Sequence, residues 1–265
     1  MKSLSETKIA FIGFGSMATA MADGFLLSGK IPAGSLGASS RRFSVLEEKT
    51  KVRGMHAFAS NEEAAKWCDV AVIAVKPYLV ADVVKPLASV LKDKIVVSVA
   101  VNVLFDDYEA ILEKGTHHLS ILPNTPAAVC EGATVCEAKH SLTPEETEFV
   151  TNLLNLLGLT VFADAKTMSP AGTVTGCGPA FAAMFIEALA DGAVKHGVPR
   201  AMAYQLASQM LAGTAKLQLK TGTHPGAMKD AVCSPGGTTI VGVAALERRG
   251  FRSAVIDAID AIENK

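Results

Sequence analysis

Residues Ser234-Pro235-Gly236-Gly237-Thr238-Thr239 lead straight into Ile240-Val241-Gly242-Val243-Ala244-Ala245-Leu246-Glu247, a helix-forming stretch. A Gly-Gly turn that opens a helix leaves several backbone N–H groups unpaired and aimed one way, with the positive end of the helix dipole behind them. Such a turn can hold a carboxylate, and the hydroxyls of Thr238 and Thr239 can reach a second polar atom of the same small molecule. Alone, a Gly-Gly helix start is only a cap. A second motif gives it chemical meaning. The apolar run from Lys8 to Ile12 enters Gly13-Phe14-Gly15-Ser16-Met17-Ala18, and a helical pattern follows from Thr19 to Leu27. Strand, G-x-G-x-x-A and helix in that order form a dinucleotide site. Gly13 makes the tight turn, Gly15 admits the pyrophosphate, and small Ala18 lets helix and strand pack.

The second strand discriminates between dinucleotides. An acid at its end would hold the ribose 2′-hydroxyl of NAD. The run Leu36 to Ser40 ends instead in Ser39, Ser40, Arg41 and Arg42. Hydroxyls and guanidinium forks suit a 2′-phosphate, which Arg matches bidentately. The expected cofactor is NADPH, with NADH accepted at lower affinity.

These motifs need two kinds of scaffold. From residue 8 to about 162 strand and helix patterns alternate. Helices are expected near Phe43 to Lys51 and from Asn61 to Trp67, the latter capped by Asn61. Strands are expected around Met55 to Phe58, Asp69 to Val75, Lys94 to Val99, Leu119 to Leu122 and Ala133 to Cys136. Apolar runs such as Asp69 to Val75 belong to a sheet covered on both faces, so the pattern predicts an α/β, doubly wound, mostly parallel sheet. From about Lys166 the strand signals stop. Pro179 to His196 and Ala201 to Lys220 read as helices with little polar surface, which must be covered nearly all round. The expected division is a cofactor domain over residues 1–165 and an all-helical domain over 166–265. A partner chain covering those helices makes the protein a homodimer through the C-terminal domain, with larger assemblies left open.

Composition narrows the classes. With 265 residues, 25 Lys and Arg against 26 Asp and Glu, the chain has no charge excess directed at nucleic acid or an anionic membrane. Cys68, Cys130, Cys136, Cys177 and Cys233 lack metal-ligand or C-x-x-C spacing and read as reduced thiols of a cytoplasmic protein; Cys177 and Cys233 read as small buried residues. The uncharged stretch from Thr167 to Ile186 carries glycines and prolines expected to break a membrane span. Neither paired carboxylates nor a ligand cluster is present, so no metal is expected. His117 and His118 are adjacent and cannot face one site from a strand, and His224 is expected in a loop.

The motifs together resemble pyrroline-5-carboxylate reductase over essentially the whole chain. The most specific segment runs from His224-Pro225-Gly226 through Lys229-Asp230-Ala231-Val232-Cys233 and the turn at 234–239 to Gly250-Phe251-Arg252. Supporting segments are Ala74-Val75-Lys76-Pro77, Pro123-Asn124-Thr125-Pro126, Glu131-Gly132-Ala133-Thr134 and Thr175-Gly176-Cys177-Gly178-Pro179. The resemblance implies a Rossmann domain joined to an interwoven helical dimerisation domain, and reduction of pyrroline-5-carboxylate to L-proline by NADPH. By position it implies cofactor contacts at Gly13, Gly15, Ser16, Met17, Ser40, Asn61, Val75 and Lys76. It implies substrate contacts at Gly237, Thr238 and Thr239, with the Thr239 hydroxyl on the imine nitrogen. The chain departs from the family at Asn102, where glycine is usual, at Ser120, where arginine is usual, and at Thr175 and Cys177, where serines are usual.

Two other readings compete. A 3-hydroxyacid dehydrogenase of similar architecture needs a strong acid or base, typically a lysine on the long helix of the second domain. Thr167 to Val194 contains no Lys, His or Arg, which favours an imine substrate. A non-catalytic NADPH-binding protein would keep the Gly13 motif but has no use for the turn at 234–239.

Overall fold

The computed structural model describes residues 2–265. Eight strands form one sheet: β1 Ile9–Ile12, β2 Leu36–Ser39, β3 His56–Phe58, β4 Val70–Ile73, β5 Ile95–Ser98, β6 His117–Leu122, β7 Gly132–Glu137 and β8 Gly158–Ala163. Their order is β3-β2-β1-β4-β5-β6-β7-β8, and every neighbouring pair is parallel except β6 with β7. The mostly parallel sheet is thus as expected, with β8 added at an edge where no strand had been placed.

Alternation along the strands builds two cores. Ile9, Phe11, Val70 and Val72 face one apolar cluster, and Ala10, Ile12, Ala71 and Ile73 face the other. Both faces are covered because the crossovers carry helices: α1 Ser16–Leu27, α2 Phe43–Lys51, α3 Asn61–Trp67, then the short α4 Val80–Val84, α5 Ala88–Leu91 and α6 Phe105–Glu109, and finally α7 Pro144–Asn155. The cap of α3 is Ser60, not Asn61: the Ser60 hydroxyl accepts the Glu63 amide. Two adjacent residues of cap-forming type stand there, and Asn61 is engaged elsewhere.

The chain divides after Pro179 into two compact units. The division falls inside α8, which runs unbroken over Ala165–Lys195 and therefore starts well before the expected Pro179. Pro170 and Pro179 lie within it. The expectation that prolines and glycines interrupt this stretch is wrong, and α8 is long and apolar enough to cross a membrane by length and composition. The reason it survives Pro179 is local. Proline lacks the N–H that would bond the carbonyl four residues earlier, at Thr175. The Asn124 side chain supplies the missing donor, with Nδ2 3.0 Å from the Thr175 oxygen. Its Oδ1 accepts the Ala133 amide at 2.9 Å, so both ends of the buried carboxamide are engaged.

The second unit is helical: the end of α8, α9 Arg200–Thr221, α10 Pro225–Ala231, α11 Thr238–Arg248 and α12 Phe251–Glu263. His224 lies in the loop before Pro225, as expected, and caps α10 there, accepting the Gly226 amide on Nδ1. Within this unit only Ala190, Ala203 and Ala207 are buried. Met202, Leu206, Met210 and Leu217 share one face of α9 and are all exposed.

Replacing Asn124 with alanine leaves the Thr175 carbonyl and the Ala133 amide unpaired, and is expected to cost about 1–3 kcal/mol. Adding Pro179→Ala restores an N–H four residues after Thr175 and should recover part of that loss in urea unfolding. An equal loss with and without Pro179→Ala would show that Asn124 does not substitute for the missing amide.

Candidate active site

The strand order reverses between β1 and β4, and ligands of doubly wound sheets bind at the carboxyl ends of strands at that point. Gly13 leaves β1 at φ +95° and donates its N–H to the Ser39 carbonyl at 3.0 Å. A β-carbon at Gly13 would lie 2.7 Å from the Ala74 carbonyl oxygen and 2.9 Å from Val75 Cγ1, so only glycine fits. Gly15, by contrast, has nothing within 4 Å of an added β-carbon. It is the N-cap of α1, which has neither a side-chain cap nor an acid in its first turn. Val75 and Lys76 follow β4, Lys76 being exposed at the start of a 3-10 turn, Pro77–Leu79. Gly13, Gly15, Ser16, Met17, Val75 and Lys76 therefore come together at the ends of two adjacent strands. Open space over Gly15 and an uncapped helix start fit a pyrophosphate.

The carboxyl end of β2 lies beside this turn. Ser40, half-buried, and the exposed Arg41 and Arg42 follow it, and neither arginine has an ion-pair partner among the described residues. Asn61, the first residue of α3, joins the same edge because the buried Ser39 hydroxyl donates to its Oδ1 at 2.8 Å. This set is rich in donors and holds no acid, which suits a phosphate monoester. The sequence places the Ser39 hydroxyl at this strand end beside Ser40; its bond to Asn61 is what the structure adds.

In the second unit, Ser234 to Gly237 form a turn with Pro235 and Gly236 at its centre. Gly236 adopts φ +69°, and the Gly237 N–H bonds the Ser234 carbonyl at 3.0 Å. Proline followed by a left-handed glycine is the signature of a type II turn. Because the Gly237 N–H closes that turn, the amides left open at the helix start are those of Thr238, Thr239 and Ile240, of which the first two flank the turn, and Gly237 contributes the shape. α11 has no side-chain cap and no acid in its first turn. The hydroxyls of Thr19, Thr147, Thr175, Thr214 and Thr221 each bond the carbonyl four residues back. Thr239 is exposed and makes no such bond, so its hydroxyl is open to a ligand.

The departures at Asn102, Ser120, Thr175 and Cys177 have local accounts. Asn102 sits at φ +60°, a left-handed conformation that asparagine tolerates better than most residues, so the backbone shape of a glycine is kept. Ser120 is buried and donates to the Val103 carbonyl. Thr175 turns its hydroxyl back onto its own helix, and Cys177 is half-buried, as is Cys233. All five cysteines are free, and burial pushes the Cys68 and Cys136 thiols up to about 12. His117 pairs with Glu146, whereas His118 pairs with Glu109 and stacks on Phe105. Burial lowers the pKa of His118 despite the Glu109 carboxylate. Among the described residues no group of His, Cys, Asp and Glu could hold a metal ion.

Comparison with known proteins connects both units to one family. Residues 165–265 match the model for pyrroline-5-carboxylate reductase dimerisation, and residues 8–102 match that for NADP oxidoreductase, coenzyme F420-dependent. The chain is 41% identical to pyrroline-5-carboxylate reductase of Escherichia coli strain K12, covering 96% of this chain and 95% of the relative. It is 39% identical to the Arabidopsis thaliana enzyme of the same name, over 96% of this chain and 92% of the relative. The crystal structure of Plasmodium falciparum pyrroline carboxylate reductase with NADP bound superimposes with a TM-score of 0.87 at 28% identity, covering 98% of this chain and 97% of that one. A Mycobacterium tuberculosis 3-hydroxyisobutyrate dehydrogenase shares the fold at a TM-score of 0.53 and 16% identity, covering 88% of this chain and 71% of that one.

The two glycines of the first motif should separate folding from binding. Gly13→Ala places a methyl group against Ala74 at a left-handed backbone and should lower the melting temperature. Gly15→Ala meets open space and should leave melting unchanged while weakening dinucleotide binding in a fluorescence titration. Unaltered binding by folded Gly15→Ala would remove Gly15 from the site.

Proposed function

The chain belongs to the pyrroline-5-carboxylate reductase family, and from that premise we propose how its residues reduce 1-pyrroline-5-carboxylate to L-proline with NADPH. The family assignment rests on identity of 41% over nearly the full chain. NADPH, when bound, supplies the hydride that the imine carbon accepts. Residues 1–165 are proposed to carry the cofactor, with Gly13, Gly15, Ser16 and Met17 under the pyrophosphate, Val75 and Lys76 beside it, and Ser40, Arg41, Arg42 and Asn61 around the 2′-phosphate. Residues 166–265 are proposed to carry the substrate and the dimer contact.

A protonated cyclic imine is already an electrophile, so the protein mainly has to hold it in place. The observation that carries the assignment is the start of α11. Its free amides at Thr238 and Thr239 lie at the positive end of a helix dipole and are proposed to anchor the ring carboxylate. The free Thr239 hydroxyl then accepts the N–H of the protonated ring, which keeps the proton on nitrogen and the neighbouring carbon short of electrons. After reduction the same hydroxyl holds the amine. No strong base is required, in keeping with a long helix that carries no Lys, His or Arg from Thr167 to Val194. That absence also weighs against alcohol oxidation, and the start of α11 against mere cofactor storage.

The exposed stripe Met202, Leu206, Met210 and Leu217 is proposed to pack on a second copy, as the dimerisation match over residues 165–265 supports. The apolar surface of α8 is assigned the same partner rather than lipid. Five free thiols accord with a cytoplasmic location.

Thr239→Val keeps the shape and removes the hydrogen bond, at an expected cost of about 1–3 kcal/mol in transition-state binding. That corresponds to a roughly tenfold to hundredfold fall in kcat/KM. Melting should move little because the turn at Ser234 to Gly237 survives. Full activity with lowered stability would reduce Thr239 to a helix-start residue. Light scattering at micromolar protein should give at least a dimer at every concentration where the chain is folded. A folded, active monomer would contradict the assignment of the apolar stripe.

A further inference from the structure

We propose that Ser39 sets cofactor choice by orienting Asn61, turning the Asn61 carboxamide so that it offers a donor and not an acceptor to the adenosine 2′-substituent. This rests on the reading of Asn61 as a cofactor contact. A carboxamide has two faces of opposite character, and at one end of its swing it offers Nδ2 to a ligand and at the other Oδ1. Ser39 removes the ambiguity. It is 1% exposed at the carboxyl end of β2, and its hydroxyl hydrogen goes to Asn61 Oδ1 at 2.8 Å. Turning the amide over would place Nδ2 against Oγ and leave a buried hydroxyl hydrogen without an acceptor, a state that buried polar groups avoid. The carbonyl of Ser39 is occupied separately by the Gly13 amide, so main chain and side chain of this one residue tie the pyrophosphate turn and the ribose edge to the same strand end.

The chemical consequence depends on what the ribose carries. A phosphate monoester only accepts hydrogen bonds from the protein, so it gains from an outward Nδ2 and is repelled by an outward Oδ1. The 2′-hydroxyl of NADH both donates and accepts, so either amide orientation serves it. Ser39 therefore bears on selection between the two cofactors and not on dinucleotide binding in general. It completes a set that already includes Ser40, Arg41 and Arg42, whose charges attract the phosphate while the fixed amide contributes direction.

The test is a double-mutant cycle on the full-length protein, with dissociation constants for NADPH and NADH measured by nicotinamide fluorescence and melting temperatures measured alongside. Ser39→Ala is expected to weaken NADPH about tenfold and to leave NADH within about twofold, the loss of one oriented charge-assisted hydrogen bond. In the Asn61→Ala background the same substitution should have no further effect on NADPH. Equal weakening of both cofactors by Ser39→Ala, or an undiminished effect without Asn61, would overturn the proposal. If Asn61→Ala weakens NADPH while Ser39→Ala does not, the contact stands and the orienting role fails. If Asn61→Ala leaves NADPH unchanged, both fail. Should Ser39→Ala not accumulate folded, Ser39→Cys, with its weak donor, is expected to shift the NADPH constant in the same direction and to spare NADH; no shift would overturn the orienting role.

Discussion

Two helix starts without caps underlie the proposed chemistry of this protein. A helix leaves its first amides without partners, and most chains satisfy them with a side chain placed just ahead. This chain does so at α3 and α7, while α2, α9 and α12 carry neither a side-chain cap nor an acid in the first turn. Ser60 caps α3 and Thr143 caps α7, and acids fill the first turns of both. At α1 and α11 it does neither. Each begins at a glycine, carries no side-chain cap, and excludes acids from its first turn. An uncapped start is a standing cost in stability, recovered when an anion arrives. Pyrophosphate at α1 and the substrate carboxylate at α11 are the anions proposed for these two starts.

The surrounding structure supports those two starts. Only glycine can make the turn at residue 13, because Ala74 and Val75 leave no room for a side chain, and the Gly13 amide is held by the Ser39 carbonyl. Asn124 serves the long helix in a comparable way, replacing a main-chain donor that Pro179 removes. Both cases use a polar group reaching across the chain to repair or fix a backbone position. Neither needs a large energy, since one satisfied buried group in place of an unsatisfied one is enough to settle a local geometry.

How much of this was legible in the sequence follows from how local each feature is. The alternation of apolar runs and helical patterns gave the sheet, because strands buried on both faces read as continuous Val, Ile and Ala. The Gly13 and Gly236 turns were legible because glycine is required there by backbone angle. Features that depend on distant partners were not. β8 was missed because its residues are half exposed at a sheet edge and show no uniform apolar run. The sequence pattern begins α8 at Pro179, fourteen residues after its start at Ala165, because Pro170 and Pro179 read as breakers until Asn124 is seen beside Thr175. The sequence pattern makes Asn61 a cap as well as a cofactor contact, and the cap fails because Ser60 takes that place while Ser39, twenty-two residues earlier, holds the Asn61 side chain. The exchange of glycine for Asn102 looked like a change in the site and became a conservative one once its backbone angle was known.

The central claim is that the free amides at the start of α11 hold the substrate by its carboxylate. Comparing kcat/KM for pyrroline-5-carboxylate with that for plain 1-pyrroline, at saturating NADPH, tests it directly. The two rings share the imine and differ only in the carboxylate. Charge-assisted hydrogen bonds from two amides predict a loss of roughly a hundredfold or more when it is removed. Equal efficiency on both rings would mean that the amides of Thr238 and Thr239 do not bind the carboxylate, and the role assigned to this helix start would have to be given up.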